Sequence, residues 1–236
     1  MTTVVAHRGA SAAFGDNTLA AFQGAADLGA DAVELDVRRT ADGALAVHHD
    51  AHLADGRALV EVAAAELPSH GCLLAEALAA CGPLVVNVEI KNLPNEPDFD
   101  ETEAVAGAVV DLVSEVAMQD RVLVSSFSLR TIDRVRELAP DLATAWLVYQ
   151  VASVEETVAR TLRHGHRTLH PWVEVLDRAL VETAHDAGLV VNTWTVDDPF
   201  RMQELIDLGV DGIITNVPDV ARAVVDGRGA NHHQRG

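Results

Sequence analysis

Three phrases in this chain, LGADAVEL, AGLVVNTW and LGVDGIIT, repeat one local event: a helical segment stops on glycine and a buried apolar run opens two or three residues later. Glycine ends helices because it accepts the left-handed backbone that satisfies the last carbonyls. A short continuous Val/Ile/Leu run, rather than an alternating one, is what a strand covered on both faces requires. Repeated along a chain, this is the βα unit, and its connections are right-handed crossovers.

The pattern predicts strands over 3–7, 32–37, 84–90, 121–125, 142–148, 167–170, 189–194 and 211–214. It predicts helices over 18–28, 73–81, 102–116, 129–138, 153–164, 174–187, 199–207 and 218–226. Gly29, Gly82, Gly165, Gly188 and Gly209 mark helix ends. Asn17 or Thr18, Ser128, and Ser153 with Glu156 as a capping box mark helix starts. Eight strands close a (β/α)8 TIM barrel, and 236 residues suffice for one such domain. We place it at 1–228, with the Gly-, His- and Asn-rich 229–236 expected to trail as a disordered tail. The polar stretch 38–72 reads as a short excursion over the rim after the second strand. A doubly wound open sheet shares most of these cues. It is disfavoured because no GxGxxG follows a strand and no GxxxxGK[ST] occurs. Polar strand ends are also spread around most of the units, where an open sheet would gather them at one switch point.

Apolar residues are 49% of the chain and aromatics only 4%, so the core is expected to be aliphatic. The formal net charge of −19 argues against nucleic acid or an anionic membrane as partner. An anionic small substrate then needs local positive charge in its pocket. The opening MTTVVAHRGA lacks the features of a secretory leader, and no run approaches the roughly 18 apolar residues of a membrane span. The expectation is a cytoplasmic protein without a stable membrane anchor, with Cys72 and Cys81 as free, buried thiols. Oligomeric state is not set by the sequence.

Four polar clusters fall at strand ends or in the excursion: His7-Arg8-Gly9, Glu34 with Asp36, Glu89 with Lys91, and His49-Asp50. Residues two apart on a strand share a face, so Glu34 converges with Asp36 and Glu89 with Lys91. Three carboxylates gathered at a barrel mouth repel one another unless a cation lies between them. An all-oxygen set suits one divalent cation, Mg²⁺ or Ca²⁺, better than Zn²⁺. The competing reading is a rim salt bridge of Glu34 or Glu89 with Arg38, Arg39 or Lys91. His7 and His49 can move protons near neutral pH. His48 competes with His49, because successive residues in LAVHHD face opposite ways. Arg8 and Lys91 supply the positive charge a phosphoryl group needs. His52, His70, His164, His166 and His185 read as surface or packing residues.

In order along the chain, HRG (7–9), DNT (16–18), ELD (34–36), HHD (48–50), EIK (89–91), SSF (125–127), NTWTVD (192–197) and DGIITNVPD (211–219) resemble the glycerophosphodiester phosphodiesterase family. The resemblance implies a TIM barrel that cleaves glycerophosphodiesters to sn-glycerol 3-phosphate and an alcohol such as choline or ethanolamine. It implies His7 and His49 as the acid–base pair, Glu34, Asp36 and Glu89 as metal ligands, and Arg8 and Lys91 on phosphate. In the family scheme the glycerol 2-hydroxyl attacks phosphorus and a cyclic phosphate is then hydrolysed. Asn17 is expected to orient the His7 loop. Phe127 and Trp194 are expected to form an apolar wall, and Asn192 to lie at or just behind the substrate. Ser125 and Ser126 read as polar rim residues. Gly15-Asp16 stand where Pro-Glu is usual, and DAHLADGRALV replaces an Arg-Thr-Thr segment that shapes the cleft in relatives.

Two other functions fit the same chain. A lysophospholipase D-like or other phosphodiesterase would need an exposed apolar entrance, and no long amphipathic or aromatic-rich rim segment is found. A catalytically silent binding barrel would lack one of the five His and acidic residues, and all five are present.

Overall fold

The computed structural model describes residues 1–227. The expected tail at 229–236 lies outside them. The strands are β1 (Thr3–His7), β2 (Ala32–Arg39), β3 (Leu45–Val47), β4 (Cys72–Leu73), β5 (Val85–Ile90), β6 (Val122–Ser126), β7 (Ala143–Val148), β8 (Thr168–Pro171), β9 (Val190–Thr193) and β10 (Gly212–Thr215). The helices are α1 (Ser11–Phe14), α2 (Leu19–Asp27), α3 (Leu74–Ala80), α4 (Ala104–Glu115), α5 (Leu129–Leu138), α6 (Val154–Arg163), α7 (Arg178–Asp186), α8 (Pro199–Leu208) and α9 (Pro218–Val225). Strands β1, β2 and β5 to β10 pair in parallel, and β1 bonds to both β2 and β10, so the sheet closes into the expected barrel. No helix among the described residues is long and apolar enough to cross a membrane.

Local chemistry accounts for most element ends. Thr18 rather than Asn17 caps α2, accepting from the Ala21 N–H. Ser128 and Ser153 cap α5 and α6. The reciprocal half of the Ser153 box does not form, because the Glu156 carboxylate is taken by Arg163 at 2.6 Å. Helix α7 starts at Arg178, later than the expected 174: Asp177 caps it by accepting from the Leu180 N–H. The preceding segment forms a 3-10 turn at Val173–Val175. Gly209, at φ +93, ends α8 in the left-handed region that a side chain would disfavour. Cys72 and Cys81 are buried and unpaired.

The excursion is a small antiparallel tab. β3 folds back on the far end of β2, with Val37 opposite Val47, and β4 pairs with β3. The tab has a functional consequence. It returns the chain to the barrel mouth just past Val47, where the His48 N–H donates to the Asp36 carbonyl at 3.0 Å.

Alternation along each strand divides the molecule into two environments. Val33, Leu35, Val37, Val86, Val88 and Val124 point outward into the aliphatic layer under the helices. Glu34, Asp36, Asn87, Glu89, Ser125 and His170 take the alternate positions and are also buried. Deep in this interior the His170 ring accepts from Asn192 Nδ2 at 3.1 Å, while its Nδ1 has no partner among the described residues. Burial pushes the His170 imidazole down to about 3. Its folded value therefore lies below its unfolded value near 6.5. Protons bind the unfolded state preferentially between these limits, and stability is lost as pH falls from 6.5 toward 3. The slope from this one group approaches about 1.4 kcal/mol per pH unit. His170→Gln is expected to flatten the pH dependence of the urea midpoint between pH 6.5 and 4 relative to wild type; parallel curves would refute the assignment.

Candidate active site

The barrel brings the three carboxylates expected as metal ligands together. Register pairs His7 with Glu34 and Asp36 with Glu89 across β1, β2 and β5. Glu34, Asp36 and Glu89 are all buried, and each offers an oxygen within 4.8 Å of the others. Burial pushes the Glu34 carboxyl well above the usual range, and the charges of Asp36 and Glu89 push it further. Burial also raises Glu89, partly offset by Lys91. For Asp36, burial acts upward, but Lys91 and Arg8 outweigh it and hold the carboxyl well below its ordinary value. Lys91 bonds Glu89 and lies 3.0 Å from Asp36. Arg8 Nε lies 3.2 Å from Asp36. The Lys91 ion pair held open as an alternative is thus present within the cluster. Arg38 is committed elsewhere, to Glu96 and Asp98. Glu34 Oε1 is buried and has no hydrogen-bond partner among the described residues. A hard-oxygen set with one unsatisfied carboxylate oxygen fits a divalent cation.

The two histidines are each fixed through Nδ1. His7 Nδ1 lies 2.7 Å from Asn216 Oδ1. Asn216 spends its Nδ2 on Asp197 at 2.6 Å, so its oxygen faces His7, where it also accepts from Ser11 Oγ at 3.0 Å. An oxygen acceptor at Nδ1 requires the proton there, which leaves the His7 Nε2 lone pair free, 3.9 Å from Glu34. Burial and then Arg8 lower the His7 imidazole, opposed by the Asn216 bond. His49 Nδ1 instead meets the Asp50 carboxylate at 2.7 Å. Burial lowers His49, Asp36 raises it, and Lys91 and Arg8 lower it further, so its charge environment is the acidic cluster itself. The His48 ring turns to the Asp50 carbonyl at 2.8 Å. His48, His49 and Asp50 form the partition between a cleft of about 740 Å³, which Lys91 and Phe127 also line, and a smaller one of about 180 Å³ beside Arg8 and Asn17.

The HRG turn is held by backbone contacts. The Arg8 N–H donates to Glu34 Oε2 at 2.9 Å, and the Arg8 carbonyl accepts from the Asn17 N–H at 3.0 Å. Gly9 has φ +78, and a Cβ there would lie 2.7 Å from the Ala21 carbonyl carbon, so the position excludes a side chain. Asn17 Nδ2 donates to Asp36 Oδ2 at 2.9 Å. It thereby orients a cluster carboxylate as well as the loop. Asp16 still reaches Arg8, at 2.8 Å, despite its shorter side chain.

Residues 7–220 match the model of the Glycerophosphoryl diester phosphodiesterase family. A glycerophosphodiester phosphodiesterase of Caldanaerobacter subterraneus subsp. tengcongensis is 33% identical over 243 residues, covering 92% of this chain and 95% of the relative. One from Bacillus altitudinis is 30% identical, with 94% and 97% covered. The chain belongs to the glycerophosphoryl diester phosphodiesterase family. Among solved family structures, the Oleispira antarctica phosphodiesterase in complex with the product sn-glycerol-3-phosphate superposes with a TM-score of 0.87 at 25% identity, covering 96% of this chain and 97% of that one. The Thermotoga maritima glycerophosphodiester phosphodiesterase superposes with 0.80 at 26% identity, covering 93% and 96%.

Sequence reasoning did not assign several residues that shape this phosphodiesterase site. Asn216 and Asp197 sit inside phrases that carry the family resemblance, but the contact of Asn216 with His7 spans 209 positions, and Asp197 acts on it only through Asn216. Asp50 was visible only as the neighbour of His49. Asn192, expected near the substrate, bonds His170 within the barrel. Ser126 is committed to the Ile90 carbonyl at 2.8 Å. No single segment is aromatic-rich, as read from the sequence, yet the rim gathers Phe127, Tyr149, Trp172 and Trp194. Phe127 and Trp194 meet edge to face at 5.6 Å, in the expected apolar wall.

Proposed function

We propose that this protein hydrolyses glycerophosphodiesters to sn-glycerol 3-phosphate and an alcohol, using His7 and His49 as base and acid with one divalent cation, Mg²⁺ or Ca²⁺, held by Glu34, Asp36 and Glu89. The observation that carries the reading is the pair of histidines, each oriented through Nδ1, beside a buried three-carboxylate cluster with internal cations. The partners of the two rings suggest a division of labour. His7 leans on a neutral amide and keeps a free Nε2, so it takes the proton of the attacking hydroxyl. His49 leans on the Asp50 carboxylate, which together with Asp36 opposes the lowering of its imidazole by burial, Lys91 and Arg8, so of the two rings it is the one given the proton that goes to the leaving alkoxide. In the second step the roles exchange, and the protons balance. Arg8 and Lys91 orient the phosphoryl oxygens. A cation bound at the carboxylates would supply further stabilisation of charge on those oxygens. Phe127 and Trp194 exclude water from one side of the cleft. The same reading sets the reaction in the cytoplasm, supported by the two unpaired cysteines.

The test is release of glycerol 3-phosphate from glycerophosphocholine and glycerophosphoethanolamine by EDTA-stripped protein, with and without restored Mg²⁺ or Ca²⁺. Activity is expected to fall to background on stripping and to return with metal. Full activity in EDTA would remove the carboxylate site from the mechanism. Faster turnover of lysophosphatidylcholine than of either soluble diester would move the assignment to a lysophospholipase D.

A further inference from the structure

The chain has only nine aromatic residues, 5 Phe, 3 Trp and 1 Tyr. Four of them occupy equivalent places: Phe127, Tyr149, Trp172 and Trp194 are the first residues past the ends of β6, β7, β8 and β9. Four consecutive barrel strands are therefore each followed by a ring, on the half of the mouth opposite the carboxylates. Trp194 is the centre of the group. Phe127 stands at 83° to it, 5.6 Å away, and Tyr149 at 43°, 6.1 Å away. Tyr149 is propped from behind by Trp172, stacked at 4.4 Å and 6°. The Trp194 indole N–H is spent on the His170 carbonyl at 2.9 Å, which fixes the ring and leaves its face for contact. Phe127 and Tyr149, each inclined to Trp194, make with it a corner rather than a flat ledge. Tyr149 is 51% exposed, so the corner opens to solvent.

We infer that this corner holds the quaternary ammonium of a choline leaving group, which makes glycerophosphocholine the preferred diester. The inference rests on the proposed diesterase reading and names its substrate. A trimethylammonium group has no N–H to donate, so a protein recognises it by aromatic faces and by negative field. Both are here. Phe127 lines the cleft that contains His49 and Lys91, so the corner is continuous with the place where the phosphate is held. Among the described residues, cation–π contacts are made by Lys91 on Phe127 and by Arg160 on Trp146, and none by a side chain on Tyr149, Trp172 or Trp194. Lys91 is already neutralised by Asp36 and Glu89. The overall charge of −19 adds a field that favours a cationic group.

The experiment compares kcat/KM for glycerophosphocholine, glycerophosphoethanolamine and the 3,3-dimethylbutyl ester of glycerol 3-phosphate, the uncharged isostere of the choline ester. Wild type, Tyr149→Phe and Tyr149→Leu are each assayed with Mg²⁺, and tetramethylammonium is titrated against Trp fluorescence. Wild type is expected to favour the choline ester over the isostere by about 2- to 30-fold. Tyr149→Phe is expected to keep that ratio and Tyr149→Leu to lose it, and saturable quenching by tetramethylammonium is expected to weaken in Tyr149→Leu alone. Equal turnover of choline ester and isostere by wild type, or an unchanged ratio in Tyr149→Leu, overturns the inference. Quenching that follows this pattern in a protein that cleaves no diester would support the cage while overturning the diesterase reading. Diester cleavage without any quenching would do the reverse.

Discussion

His7→Ala is expected to lower kcat on glycerophosphodiesters by about 10²- to 10⁴-fold, with divalent-metal binding retained. The size follows from what the side chain touches. His7 Nδ1 is held at 2.7 Å by Asn216, so its free Nε2 is aimed without an entropic search. In the proposed mechanism the imidazole is one of two proton carriers, and it is not among the three residues whose oxygens gather in the carboxylate cluster. Metal titration by calorimetry, run beside the kinetics, separates the two effects. A variant that loses metal affinity along with activity would make His7 a structural or ligating residue instead. Asn216→Leu extends the test: it leaves the imidazole in place but removes its acceptor, and a smaller loss in kcat with little change in KM is expected. If Asn216→Leu had wild-type kcat, orientation through Nδ1 would not matter.

The second large effect concerns stability. Asp36 is 1% exposed and lies 3.0 Å from Lys91, 3.2 Å from Arg8 and 2.9 Å from Asn17. Asp36→Ala leaves two cations near the barrel axis with less negative charge to balance them, and breaking a buried pair by removing one partner costs about 3–5 kcal/mol. Urea denaturation in EDTA is expected to show a loss of that order, together with loss of the stabilisation that added Mg²⁺ or Ca²⁺ gives the wild type. Asp36→Asn, which keeps the shape but not the charge, is expected to fall between. A loss under about 1 kcal/mol for Asp36→Ala would mean that Glu89 alone balances Lys91 and that the cluster is more loosely coupled than its distances imply.

Particular residues show where sequence reasoning reached and where it stopped. The i, i+2 spacing of Glu34 and Asp36, and of Glu89 and Lys91, placed each pair on one face, because strand geometry is a local property of the backbone. Glycines such as Gly209 marked helix ends for the same local reason. The start of α7 was misread by four residues because the chain after the Trp172–Trp194 bridge makes a separate 3-10 turn at Val173–Val175, and Asp177 caps the α-helix only beyond it. The choice between His48 and His49 was open to residue spacing, since it depends on how β3 folds back on β2.

The sequence by itself determined the βα alternation, the eight barrel strands, the aliphatic helix-facing layer, the acidic pairs and the need for positive charge against a field of −19. Periodicity, propensity and composition act within a few residues or over the chain as a whole. Only the tertiary structure decided that Asn216 and Asp197 orient His7, that Lys91 and Arg8 sit inside the carboxylate cluster, and that four isolated aromatics become one corner. Those contacts are made where a closed sheet brings the ends of distant strands to one rim. Their geometry is set by barrel register and closure, which no window of sequence contains.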